Sequence, residues 1–176
     1  MTKLIILGKL NYQMFEKLRS AITLPYLDVK VRLALPSISR ENNKILLNDG
    51  LPLELIYCGY ESTSIIDNPD IDIYDYSFDN LSTDQIAELI NDNDLEDYNK
   101  IVVVSTSGVS KNISGGINVK EDLEVPVLFI GQYFENKHII GENYLINDVA
   151  ITINNFYETF VPNARGRVIE MEDSYE

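Results

Sequence analysis

The chain has 176 residues, 45% of them apolar, and 28 acidic against 14 basic residues give it a net charge of −14. That length suits one compact domain with its own core and leaves little room for a second. One cysteine (Cys58) and one histidine (His138) exclude an intrachain disulfide, a Cys-rich zinc site and any multi-histidine metal centre.

Residues 3–7, Lys-Leu-Ile-Ile-Leu, read as a strand closed by Gly8. From 11 to 22, Met14, Leu18, Ala21 and Ile22 recur at helical spacing with Phe15 alongside, an amphipathic helix. Residues 27–35 alternate Val29, Val31 and Leu33 against Asp28, Lys30 and Arg32, a half-buried strand ending at Pro36. A short helix over 39–47 is expected to stop at Gly50. Residues 53–59 and 71–78 are strand candidates. Ser82 and Gln85 form a capping box ahead of a helix whose apolar face is Ile86, Leu89 and Ile90.

The run Lys100-Ile-Val-Val-Val-Ser-Thr-Ser-Gly108 is the most telling. A continuous apolar run between turn signals predicts a strand buried on both faces, and α/β proteins place their chemistry at the carboxyl ends of such strands. Here that end offers Ser105, Thr106 and Ser107. A polar loop follows over 110–116, then a buried strand over 125–131, an edge strand over 139–146 and a helix over 149–160 capped by Asp148. The strands at 3–7, 101–104 and 125–130 are expected at the buried centre of the sheet. Together these predict a single α/β domain over 1–169, with a mostly parallel or mixed sheet and helices on both faces. Residues 170–176 have the composition of an acidic, disordered tail.

The charge is uneven. Between Lys44 and Lys100 stand fourteen acids and no lysine or arginine, while the rest of the chain balances. Such a field repels nucleic acid and anionic lipid and attracts a basic protein surface or cations; it equally serves solubility. No apolar run approaches membrane-spanning length and no basic start precedes an apolar core, so a cytoplasmic protein without membrane attachment is expected.

Within the acidic stretch, Asp70, Asp72 and Asp75 are candidate ligands for calcium or magnesium. Their spacing fits no EF-hand loop, and alternation along a strand sets Asp70 and Asp72 on one face and Asp75 on the other. The alternative is a solvated edge that discourages aggregation. The Ser- and Gly-rich loop over 105–116 offers amides that could cradle an anion, or is a surface loop. His138 reads as an exposed residue of a polar turn. Tyr60, Tyr74, Tyr76 and Tyr98 lie beside acids, as at an interface or on a half-buried sheet.

Several segments, in order, resemble the alkaline phosphatase superfamily, which includes phosphodiesterases, sulfatases and cofactor-independent phosphoglycerate mutases. They are the opening strand and helix over 3–18, then Leu35-Pro-Ser-Ile-Ser39 with Leu46-Leu-Asn-Asp-Gly-Leu-Pro52. After them come 86–108, Val125-Pro-Val-Leu-Phe-Ile-Gly131, Asn147-Asp-Val-Ala-Ile-Thr-Ile153 and Gly166-Arg-Val168. The resemblance covers about three fifths of the chain and implies Ser39 as the position of the nucleophile. It also places Lys9 and Leu10 where the family has a metal-binding Asp, Thr106 and Ser107 in place of an Asp-His pair, and Ile117 in place of a further His. Phosphoryl transfer by two metals needs hard, mostly anionic ligands, so the resemblance implies a trimmed domain without the family's metal cofactors or catalysis. Ser39 otherwise reads as the cap of its helix.

Two functions follow as expectations. The first is a non-catalytic, alkaline-phosphatase-like domain that binds a protein with a basic surface through its acidic face. The second is a small hydrolase or transferase acting on a phosphate- or sulfate-bearing substrate, with a non-standard site near Ser39, Ser105, Ser107 and the Asp67–Asp75 run.

Overall fold

The computed structural model describes residues 1–34, 39–91, 98–108 and 123–174. In chain order the strands are β1 (Thr2–Leu7), β2 (Tyr26–Arg32), β3 (Ile71–Tyr76), β4 (Lys100–Ser105), β5 (Glu124–Ile130), β6 (Lys137–Ile140), β7 (Tyr144–Leu145) and β8 (Glu170–Asp173). The helices are α1 (Tyr12–Leu18), α2 (Ser39–Leu47), α3 (Leu53–Tyr57), α4 (Ser64–Asp67), α5 (Thr83–Asn91) and α6 (Ile146–Asn155).

Six strands form one mixed sheet in the order β3-β1-β4-β5-β2-β7. β1 runs parallel to both β3 and β4, β5 is antiparallel to β4 and β2, and β7 is parallel to β2. The chain is thus an α/β protein with helices on both faces. On one face Leu4, Ile6, Val102 and Val104 pack with Ile45 and Leu46 of α2, Ile65 of α4 and Val149 and Ile153 of α6. On the other, Ile5, Leu7, Ile101 and Val103 pack with Phe15 and Leu18 of α1 and Ile86 and Ile90 of α5.

The uninterrupted apolar runs lie where two-sided burial is required. Leu4–Ile6, Ile101–Val104 and Val127–Ile130 are wholly inaccessible to solvent. Burying each such side chain contributes roughly 1.5–3 kcal/mol relative to exposure. β5 contains Pro126, but the β4–β5 ladder spans only Val103↔Leu128 to Ile101↔Ile130, so the proline lies beyond it.

Local signals at helix ends behave as the residues dictate. Asn11 caps α1 by accepting the Met14 N–H at 2.8 Å. Ser82 and Gln85 close a reciprocal box at 2.9 and 3.2 Å. Gly50 adopts φ +85° just past α2.

Four expectations are corrected. Residues 53–57 are helix α3, not strand: Pro52 O accepts the N–H groups of Leu55 and Ile56, and five residues carry too little periodicity to separate the two states. The edge strand expected over 139–146 is split into β6 and β7, because Gly141 and Asn143 take left-handed conformations. The last helix begins at Ile146 and ends at Asn155; Asp148 is its third residue and reaches back to accept the Leu145 N–H at 2.7 Å. The expected disordered tail begins instead with strand β8, paired antiparallel to β6. Ile169 is buried and Met171 packs on the core, while Lys137 meets Asp173 across the ladder at 2.9 Å, so the tail's alternation outweighs its acidity.

Candidate functional site

The carboxyl ends of β1, β3 and β4 meet beside the start of α2, and two of the hydroxyls expected there, those of Ser105 and Thr106, have structural partners. Ser105 and Thr106 are fully buried and Ser107 is 2% exposed. Ser105 Oγ donates to Leu10 O at 3.3 Å, and Thr106 Oγ1 to Leu7 O at 3.3 Å. The Thr106 N–H also reaches Leu7 O at 2.9 Å, and the Leu10 N–H reaches Ser107 O at 3.1 Å. These bonds lace the turn after β1 to the turn after β4, satisfying backbone carbonyls that would otherwise be buried without partners. Leu10 is wholly buried among Phe15, Leu18 and Ile86. Gly8 is needed here: a Cβ on it would stand 2.4 Å from Ser77 O.

Helix α2 joins this lacing through two residues that sequence reasoning missed. Asn42, fully buried, accepts the Ala34 N–H at 2.9 Å and donates to Thr106 O at 3.1 Å. Asn43 donates to Asp75 Oδ2 at 3.2 Å. A pair of asparagines inside a short helix is a local conflict of propensity, the signal that could have flagged them. Ser39 is the first residue of α2, one helical turn before this pair. Residues 35–38 and 109–122, which include Ile117 and most of the loop expected over 105–116, lie outside the described residues.

The three aspartates do not converge. Asp72 is paired with Lys3 of β1 and faces α5, where it accepts Tyr98 Oη at 2.5 Å; Tyr74 Oη lies 3.4 Å from the same phenol. The Asp72 carboxylate and then Tyr74 hold the Tyr98 phenol well above its usual pKa, so it remains a donor. Lys3 lies over the Tyr74 and Tyr98 rings and donates to Leu89 O at 3.1 Å. Asp75 points to the opposite face, toward Asn43, and its Oδ1 accepts the Ser77 N–H at 2.9 Å. Asp70 is exposed at the start of the strand. Among the described residues no group of three or more His, Cys, Asp or Glu is placed to hold a metal ion.

The stretch between Lys44 and Lys100 is rich in exposed acids. Ten of the fourteen acids between Lys44 and Lys100 fall on described residues. Eight are exposed, Asp72 is half-buried and Asp49 is buried. Five large apolar side chains in the same stretch are exposed: Tyr57 57%, Tyr60 50%, Ile66 49%, Tyr74 36% and Phe78 80%. This stretch includes β3, the terminal strand of the sheet.

Asp49 is the exception that proves structural. It sits at φ +60°, and its carboxylate accepts Ser64 N–H at 2.8 Å, Ile65 N–H at 2.9 Å and Asn154 Nδ2 at 3.1 Å, as well as the Ser62 hydroxyl. It thereby starts α4 and ties it to α6, a role hidden in what reads as an ordinary Asn-Asp-Gly stop.

His138 is exposed, on β6 rather than in a turn, with Nδ1 3.1 Å from Ser174 Oγ. A cavity of about 370 Å³ beside the end of α6 is lined mainly by apolar groups, including Ile151, Phe160, Val161 and Val168, with one carboxylate, Glu158. Among the described residues no helix is long and apolar enough to cross a membrane. The chain matches no protein-family model, no curated protein and no solved structure.

Proposed function

We propose that the chain is a non-catalytic, alkaline-phosphatase-like domain that works in the cytoplasm by binding a protein with a basic surface through the margin around β3. The carrying observation is the eight exposed carboxylates and five exposed large apolar side chains, without one lysine or arginine between Lys44 and Lys100. Acids alone are a solubility device. Acids interleaved with exposed tyrosine and phenylalanine supply both the steering field and the contact area of an interface. Phosphate polymers and anionic lipid are repelled by the same field.

The strand ends support the non-catalytic half of the reading. A hydroxyl acts as a nucleophile only with an adjacent base or metal. Ser105 and Thr106 instead face backbone carbonyls inside the core. One observation favours the rival reading of a hydrolase or transferase acting on a phosphate- or sulfate-bearing substrate. Asn43 Oδ1, one helical turn after Ser39, and Ser77 Oγ are buried without a hydrogen-bond partner among the described residues, and both residues bond to Asp75 through another atom.

Purified protein assayed on aryl phosphate, phosphodiester and aryl sulfate esters with zinc, manganese or magnesium is expected to show no turnover. Turnover abolished by Ser39→Ala would establish the enzyme. The binding half is tested by capture from lysate with the wild-type chain beside an Asp72→Lys, Asp75→Lys variant; a basic protein retained only by the wild type is expected.

A further inference from the structure

We infer that the partner engages β3 as an added strand: a basic, extended segment of the partner protein pairs with the outer edge of the sheet. This rests on the reading of the acidic margin as the binding face, and adds the backbone as the means of recognition.

β3 has one neighbour in the sheet, β1, and among the described residues nothing pairs with its other side. Each residue of a strand directs its N–H and C=O to the same side, and successive residues alternate sides. The Thr2 N–H donates to Asp70 O at 2.8 Å, which sets the phase: Asp70, Asp72 and Tyr74 bond toward β1. Ile71, Ile73 and Asp75 therefore direct their backbone groups outward. Ile71 fits this phase, since its N–H bonds back to Asn68 O at 3.1 Å rather than to β1. Ile73 and Asp75 present a short outward row of donors and acceptors, the template for strand addition.

Charge selects the occupant. Asp70, Asp72 and Asp75 lie along this edge, in a chain of net charge −14. A second copy would bring like charges face to face, so pairing between copies is opposed. A segment in which lysine or arginine alternates with β-branched residues carries its charges on one face, where they meet either Asp72 or Asp75. Asp72 lies on the α5 face and Asp75 on the α2 face.

The test uses the full chain and a peptide alternating lysine with valine. A second peptide of the same sequence is N-methylated at every residue, which keeps its charges but removes the ladder donors of both edges. The plain peptide is expected to bind in a salt-dependent manner and to slow amide exchange at Ile73 and Asp75. The methylated peptide, losing two or three bonds of about 1 kcal/mol each, is expected to bind at least about tenfold more weakly. Equal binding of both peptides, or unchanged exchange at Ile73 and Asp75, overturns strand addition and leaves the acidic face standing as a surface of charge alone. Failure of both peptides to bind at low salt overturns the acidic-face reading itself.

Discussion

The two margins of the parallel half of the sheet, built from neighbouring strands, have opposite character. At the carboxyl ends of β1 and β4, Ser105, Thr106 and Asn42 are buried and hydrogen-bonded to backbone. Along β3, Asp70 and Asp75 are exposed, and the outer backbone row is unpaired among the described residues. Polarity alone therefore does not mark a site. Buried polar groups with partners hold loops together, whereas exposed charge beside exposed aromatic surface is available to another molecule.

The strongest way to break this contrast lies beneath both margins. Val103→Asp puts an unpaired carboxylate at the fully buried centre of β4. It is expected to unfold or aggregate the protein, since such burial costs several kcal/mol even after relaxation. A soluble variant with an unchanged melting temperature would show that β4 is not central.

Next is Asp49→Ala, which removes the acceptor for two backbone N–H groups, Asn154 and Ser62. Leaving those donors unmet in a buried place is expected to cost about 3 kcal/mol in denaturant unfolding. A loss below about 1 kcal/mol would mean that α4 and α6 hold together without it.

A smaller effect is expected of Thr106→Val, which keeps the shape and deletes the Oγ1 bond to Leu7 O. About 1 kcal/mol of stability should go, with no other change. This sharpens the contrast, because a binding role for the strand-end hydroxyls would show as lost partner affinity in a folded variant.

Much of this arrangement is legible in the residues. The continuous apolar runs at 101–104 and 127–130 place those strands at the centre, because a sheet covered on both faces leaves no place for polar alternation. Asp72 and Asp75 fall on opposite faces by the period of two alone. What escapes the sequence depends on tertiary partners. Ser105 reads as a candidate because the carbonyl of Leu10 that occupies it belongs to a turn nearly a hundred residues away. Asn42 and Asp49 are invisible for the same reason, and the acidic residues of β8 form a strand because β6 supplies Lys137 and an apolar neighbour in Ile139.

The most direct measurement is the association rate of the chain with the basic protein it captures, followed from low to high salt, for the wild type and for the Asp72→Lys, Asp75→Lys variant. Exposed charges act over a Debye length of roughly 8 Å at physiological ionic strength and mainly accelerate encounter. The wild-type rate is expected to fall by roughly tenfold or more as salt rises. The variant should start slower and show a flatter salt dependence. An unchanged association rate with an unchanged salt dependence would contradict the account and leave the acidic margin as a device for solubility.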